Sequence, residues 1–536
     1  MTSRALAICC CAALLTLVLA GCGGNTAIPP ATTTGVATNQ LTVADVQSVV
    51  QNAALSVSAP VVISVTDRAG HILALYSQPG APATSTGNFS QTVPTDELSV
   101  ALARTASYFS NDQAPLSSRT VRFISGIHFP PGIDNTANAA LYGIENTNRG
   151  CPLNVTFLPG QQIGPSRSIN GSQLGLGIIT GKVDVFDSDP NSVNGGGVPL
   201  FKNGHIVGGV GVAGSTYDVA EFAAFSGAVG AGFGPTPAPP GVVIIDGIAL
   251  PFVNTTTRPA SVGPGSFSGT FSIGPMPSPG PVPEGDLIQE TAGTAGLTLA
   301  DVQQLVQNAI ATANTTRAVI RLPLGQRAKF AIAVADLDGR LLAFYRMPDS
   351  TIFSLDVAAA KARNVIYFSS AAINPIDLPG VPPGTAVTNR TISFGAQPLF
   401  PPGINAINPS TPGPFFNLFQ FDVANPCTNG HQPTNANQSG IVFFPGSVPL
   451  YKNGVLVGGL GISGDGVEQD DFVSAGAAVG FDAPAAIRAD QVLINGVSVV
   501  NDEEKLIITI DYTKTKDAQQ QQATFELLPS EVLGGA

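Results

Sequence analysis

Leu299, Val302, Leu305, Val306 and Ile310 recur at the spacing of one helical face. Thr298 precedes them and Asp301 stands three positions on, so a capping box is predicted to start a helix there. Thr42 and Asp45 open the same pattern earlier in the chain. Each helix is followed by two β-rich runs around an Asp-x-x-Gly turn, at 67–70 and 336–339. A second, Ala-rich helix ends at Tyr108-Phe109 or Tyr367-Phe368, and a long Pro/Gly/Asn-rich stretch comes after it. A hairpin then turns on Asn203-Gly204 or Asn453-Gly454, a pair suited to the two positive φ angles of a type I′ turn. A last helix is predicted at 218–229 and 468–479. The order α-β-β-α-loop-β-β-α implies antiparallel pairing with helices packed on the sheet, an α+β class.

The two series are one unit written twice. LTVADVQSVVQNA (41–53) matches LTLADVQQLVQNA (297–309), and VPLFKNGHIVGGVGVAG (198–214) matches VPLYKNGVLVGGLGISG (448–464). Three further blocks match in the same order, which indicates a domain duplication. A small predicted β-hairpin follows each unit, around Asp246-Gly247 and Asn495-Gly496. The expected organisation is a signal peptide at 1–21, a tether at 22–40, repeat 1 with its hairpin at 41–258, a Pro/Gly/Ser linker at 259–296, repeat 2 with its hairpin at 297–514, and a tail at 515–536. Gly208-Gly209 and Gly458-Gly459 fall inside predicted strands, where glycine marks the close approach of a crossing helix or a ligand.

At the N-terminus Arg4 precedes an apolar run, 5–19, shorter than the roughly 20 residues that span a bilayer. Leu-Ala-Gly-Cys follows at 19–22 and looks like the lipobox of bacterial lipoproteins, so Cys22 is the expected lipidation site. The expected location is the bacterial cell envelope, lipid-anchored, facing the periplasm or the cell surface, with the membrane a partner through the lipid. Of six Cys, only Cys151 and Cys427 remain beyond Cys22. Hydrophobic residues make up 44% of the chain and charged residues 11%, with net charge −12 and no Lys/Arg cluster, so nucleic acid is not an expected partner.

The L-T-x-x-D opening helix, the D-x-x-G hairpin, the A-K-A-R helix and the closing V-P-L-x-x-N-G-x-x-V-G-G-x-G-x-S-G followed by Q-D resemble the GlcG/HbpS-like family. That family includes haem-binding extracellular proteins and the C-terminal domains of some corrinoid adenosyltransferases. The resemblance implies an exported binding protein for haem or a related tetrapyrrole, held non-covalently. It also implies an intramolecular pseudo-dimer and a tendency to form homo-oligomers. Repeat 2 keeps Lys361, Gln469 and Asp470, whereas repeat 1 has Leu102, Val219 and Ala220 at those places. A pocket surviving in one copy is therefore expected in repeat 2.

Arg390-Thr391 and their counterparts Arg119-Thr120 stand just after the second helix. An arginine there could grip a ligand carboxylate through its bidentate fork or tie down the loop through backbone carbonyls. The expected ligand-binding set is Arg390, Thr391, His431, Gln469 and Asp470, with His431 a candidate axial haem ligand. His71 and His205 read as turn residues and His128 as a packing position. No metal-binding spacing of His and Cys appears, no nucleophile motif appears, and Asp187-Ser-Asp189 lacks the glycine and glutamate of a calcium loop. A binding protein, a small-molecule enzyme using the repeat 2 pocket and a structural lipoprotein with a vestigial pocket all remain open. Cys151 and Cys427 lie at near-equivalent places in the two long loops. A disulfide between them is expected, with two buried free thiols as the alternative.

Overall fold

The computed structural model describes residues 39–126, 139, 141–153, 168–169, 173–235, 243–245, 248–273, 282–400 and 412–499. The lipobox, His128 and the tail lie outside them. The described residues from Gln40 onward belong to one compact unit.

Repeat 1 begins with helix α1 (Val43–Ser56), whose Thr42/Asp45 capping box forms as expected. Strands β1 (Val62–Asp67) and β2 (Ile72–Ser77) follow, then the short pair β3 (Thr84–Thr86) and β4 (Thr92–Pro94), helix α2 (Thr95–Phe109) and the short helix α3 (Ser118–Phe123). The hairpin β5 (Gly197–Lys202) and β6 (His205–Ala213) leads into α4 (Tyr217–Gly230), and β7 (Val243–Ile245) pairs with β8 (Ile248–Leu250). Two strands from the next stretch, β9 (Thr270–Ile273) and β10 (Gly285–Ile288), lead to repeat 2. There α5 (Leu299–Ala313), β11 (Phe330–Ala335), β12 (Leu341–Arg346), α6 (Phe353–Phe368) and α7 (Asn389–Gly395) repeat the series. Helix α8 (Phe416–Ala424) is added in the long loop, and β13 (Ser447–Lys452), β14 (Val455–Gly464), α9 (Val467–Ala477), β15 (Leu493–Ile494) and β16 (Val497–Ser498) complete it.

The two main sheets have matching orders, β5-β6-β1-β2-β9 and β13-β14-β11-β12-β10, and all neighbours in them are antiparallel. The α+β expectation holds. Asn203 and Gly204 take φ of 53° and 80°, and Asn453 and Gly454 take 52° and 78°, as the type I′ turn requires. The glycines of β6 and β14 admit a helix. A Cβ on Gly209 or Gly459 would sit 2.1 or 2.2 Å from the carbonyl oxygen of Ala103 or Ala362, so the helix backbone of α2 or α6 lies directly on the strand.

Residues 259–296 are not a free linker. Strand β9 joins the open edge of β2, and β10 joins the open edge of β12. Sheet edges carry unpaired N–H and C=O groups, and the short apolar runs inside this Pro/Gly-rich stretch satisfy them. The two repeats are not separately cored either. Tyr108 and Phe109 of α2 share one buried apolar cluster with Phe353, Ala358 and Ala362 of α6. The Phe109 and Phe353 rings stack 4.1 Å apart, and the Ile352 N–H donates to the Tyr108 carbonyl. The two regions thus share one continuous core.

The long loops meet as well. Cys151 and Cys427 form a disulfide with Cα atoms 5.2 Å apart. Beside it Asn146 donates to Asp422, and Arg149 donates to the carbonyls of Asp422 and Val423. The bridge closes a loop of 276 residues, for which chain entropy alone gives about 5 kcal/mol.

Candidate functional site

Helix α6 carries Lys361 across the face of β14, and α9 carries Asp470 back toward it. The two side chains form a buried ion pair at 2.8 Å. The ammonium also donates to the Ile462 carbonyl and lies 4.9 Å from the centre of the Phe444 ring. Burial pushes the Asp470 carboxyl up and the Lys361 ammonium down, while each partner holds the other's charge in place. Asp470 Oδ1 and Gln469 Oε1, next to it in sequence, are buried with no partner among the described residues.

Arg390 does not wait for a ligand. Its Nε donates to Asp471 Oδ2 at 2.5 Å, both side chains being almost fully buried. In repeat 1, Arg119 makes the same pair with Glu221 at 2.6 Å. The expectation that Arg390 grips a ligand carboxylate meets the chain's own carboxylate instead, one residue beyond Asp470. Matching the two repeats could have found it, since Glu221 and Asp471 are the acids in register. Thr391 is buried in the first turn of α7, where its N–H donates to Thr388. Its role there is to start a helix.

His431 stands apart from this cluster. Its Nδ1 is 2.6 Å from Asp377 Oδ1, its backbone N–H also reaches that carboxylate, and its ring packs against Phe421 with centroids 4.0 Å apart. Tyr367 donates to the same carboxylate at 2.7 Å. The side chain is one third exposed. A histidine whose Nδ1 is held by a carboxylate is fixed in orientation with Nε2 as its ligating nitrogen, the usual arrangement of a metal-bound imidazole. His71 and His205 make similar contacts with Asp67 and Asp112, where sequence reading saw plain turn residues. No group of three His, Cys, Asp or Glu able to hold a metal ion occurs among the described residues.

A cavity of about 390 Å³ lies in repeat 1. Leu98, Leu102 and Val212 give it an apolar wall, and Ser85, Ser215 and Thr216 give it hydroxyls. It contains no cationic, His, Cys or Met side chain, and so offers neither a histidine for haem iron nor a partner for propionates. In register, Leu102, Ala220 and Asn194 of its wall correspond to Lys361, Asp470 and Phe444. At these places in repeat 2 the residues that keep the family pattern pair with each other and pack against Phe444.

Residues 297–478, which contain all five expected ligand-binding positions, match the family described as haem degrading protein HbpS-like. Residues 297–478 are thus similar to an HbpS-like domain. Two solved structures are similar to part of the chain. One is described as a PduOC:heme complex, 21% identical, covering 34% of this chain and 93% of its own, with a TM-score of 0.22. The other is protein ORFY of Klebsiella pneumoniae, family DUF336, 20% identical, covering 34% and 89%, also at 0.22. No curated protein matches the chain. Within residues 297–478 the described chemistry falls into two places, the buried Lys361–Asp470 pair and the half-exposed His431–Asp377 dyad.

Proposed function

We propose that this chain is a lipid-anchored protein of the bacterial cell envelope that binds haem or a related tetrapyrrole non-covalently, with His431 as the axial ligand. The observation that carries the reading is the match of 297–478 to a family described by haem chemistry. The structure supplies a donor of the right kind within that span, an imidazole oriented by Asp377 and packed on Phe421. Ile376, next to Asp377, is 60% exposed and adds apolar surface beside the dyad, which suits the face of a porphyrin.

The test is titration of the purified mature protein with hemin, read at the Soret band. A saturable, red-shifted band is expected, and His431→Ala should weaken binding at least tenfold. No saturable band would refute haem binding, and unchanged affinity in His431→Ala would refute the ligand. The family description also names degradation, which gives a second reading. Steady loss of the Soret band in the presence of a reductant and oxygen, faster than with hemin alone, would support it.

The anchor is proposed from Leu-Ala-Gly-Cys at 19–22 behind a short apolar run. No helix of the described residues is long and apolar enough to cross a membrane. Cys22→Ser should move the protein from the membrane fraction to the soluble one, and an intact mass showing an unacylated N-terminus would refute lipidation.

A further inference from the structure

We propose that the cavity of repeat 1 binds a small zwitterion of amino-acid type, whose ammonium and carboxylate take the places that Lys361 and Asp470 occupy in repeat 2. The duplication is the argument. In repeat 2, the Lys361 ammonium donates to the Ile462 carbonyl, and the backbone N–H of Gly464 favours the charged form of the Asp470 carboxyl. The corresponding backbone groups in repeat 1 belong to Val212 and Gly214, and both residues line the cavity. Leu102 and Ala220 supply neither charge, so no side chain at these two places can meet those backbone groups.

Three further observations bear on the occupant. The side-chain nitrogen of Asn194, a lining residue, is buried and has no partner among the described residues, which is unfavourable unless a ligand acceptor meets it. Helix α4 begins at the cavity, and its N-cap Thr216 makes no side-chain cap, so N–H groups of the first turn are left for an anionic oxygen. The lining has no charged side chain. A lone ion would enter without a counter-charge, at high cost, whereas a zwitterion brings its own. The volume lies within the range of small-molecule sites, roughly 300–1,000 Å³. The apolar wall of Leu98 and Leu102 suits an aliphatic side chain.

The test uses the full mature protein, without haem, and isothermal calorimetry. The probes are alanine, valine and leucine, with isovalerate and isobutylamine as the single-charge fragments. At least one amino acid should bind at least tenfold more tightly than either fragment. Leu102→Lys/Ala220→Asp, which copies the repeat 2 pair, should abolish binding while leaving the far-UV circular dichroism unchanged. Should that variant fail to fold, Asn194→Phe, which copies Phe444 at a partly exposed position, should abolish binding instead. Binding that survives in the folded variant overturns the proposal. So does a fragment that binds as tightly as the amino acids, or no binding by any probe at 10 mM (about 2.7 kcal/mol). The haem reading rests on other residues and another signal, so either can fail alone.

Discussion

Lys361, Asp470 and Phe444 in the second repeat stand where Leu102, Ala220 and Asn194 stand in the first. The backbone around them is nearly the same. Both copies lay a helix on two strand glycines, and both hold the Asp-x-x-Gly turn with an arginine of that helix, Arg104 to Gly70 and Arg363 to Gly339. Both also tie the opening helix to the hairpin through a lysine, Lys202 to Asp45 and Lys452 to Asp301, each at 2.7 Å. Duplication has therefore kept the frame and changed the filling. A longer connection adds to the difference. Residues 314–329 in repeat 2 replace the short 57–61 of repeat 1, and they bring Arg321 to Asp465, the counterpart of Ser215 at the cavity. In one copy ion pairs and an aromatic ring stand at the places where, in the other, uncharged residues line a cavity.

The largest expected effect comes from breaking the filling one residue at a time. Lys361→Leu alone leaves the Asp470 carboxyl buried without its ammonium, and Asp470→Ala alone leaves the ammonium. Either should cost about 3–5 kcal/mol, because an unpaired buried charge loses its compensation. Lys361→Leu/Asp470→Ala together install the repeat 1 residues and should cost less than either single change, since apolar groups replace a buried pair at little net loss. Urea denaturation of the four proteins measures this. If the two single effects simply add in the double variant, the pair is not the unit that fills repeat 2, and the comparison between copies loses its basis.

Much of the frame was legible because it is local. Capping boxes, Asn-Gly hairpins and strand glycines each need only a few neighbouring residues, and each appears where the pattern put it. The disulfide was legible for another reason: Cys151 and Cys427 hold matching places in matching loops. What the sequence hid was non-local. Nothing in the Pro/Gly-rich stretch around Phe271 or Leu287 says which sheet edge it will complete. The helices of Phe109 and Phe353 read only as Ala-rich, and no periodicity tells that they bury against each other. The motif residues retained in repeat 2 gave no sign of the cavity in repeat 1. Lys361 and Asp470 do keep the motif, and they pair with each other. Arg390 was misjudged because Asp471 was not set against Glu221.

The junction between the copies gives a smaller effect, and its acids come from repeat 2. Asp356 is buried, accepts from the Asn148 N–H of repeat 1, and is pushed up to about 6 by burial. Asp422 accepts from Asn146 of repeat 1 and is pushed up to about 7, again chiefly by burial, with Arg149 pulling it back. A carboxyl raised in the folded state binds its proton more tightly there than in the unfolded chain. The stability this gives is complete below the ordinary carboxylate range near pH 4 and is lost as pH rises through 6 to 7. At 1.36 kcal/mol per unit, Asp422 carries on the order of 1–4 kcal/mol of that loss. Glu97, the repeat 1 counterpart of Asp356, is only half-buried, so its share should be smaller. Unfolding midpoints in urea, taken from pH 5 to pH 8 with the disulfide intact, should therefore fall with rising pH. Asp422→Asn, which cannot ionise, should flatten that fall, and Asp356→Asn should flatten it more than Glu97→Gln does. If the parent and Asp422→Asn show the same slope, the contact between the copies is not held by a protonated acid, and the asymmetry between the repeats ends at the cavity.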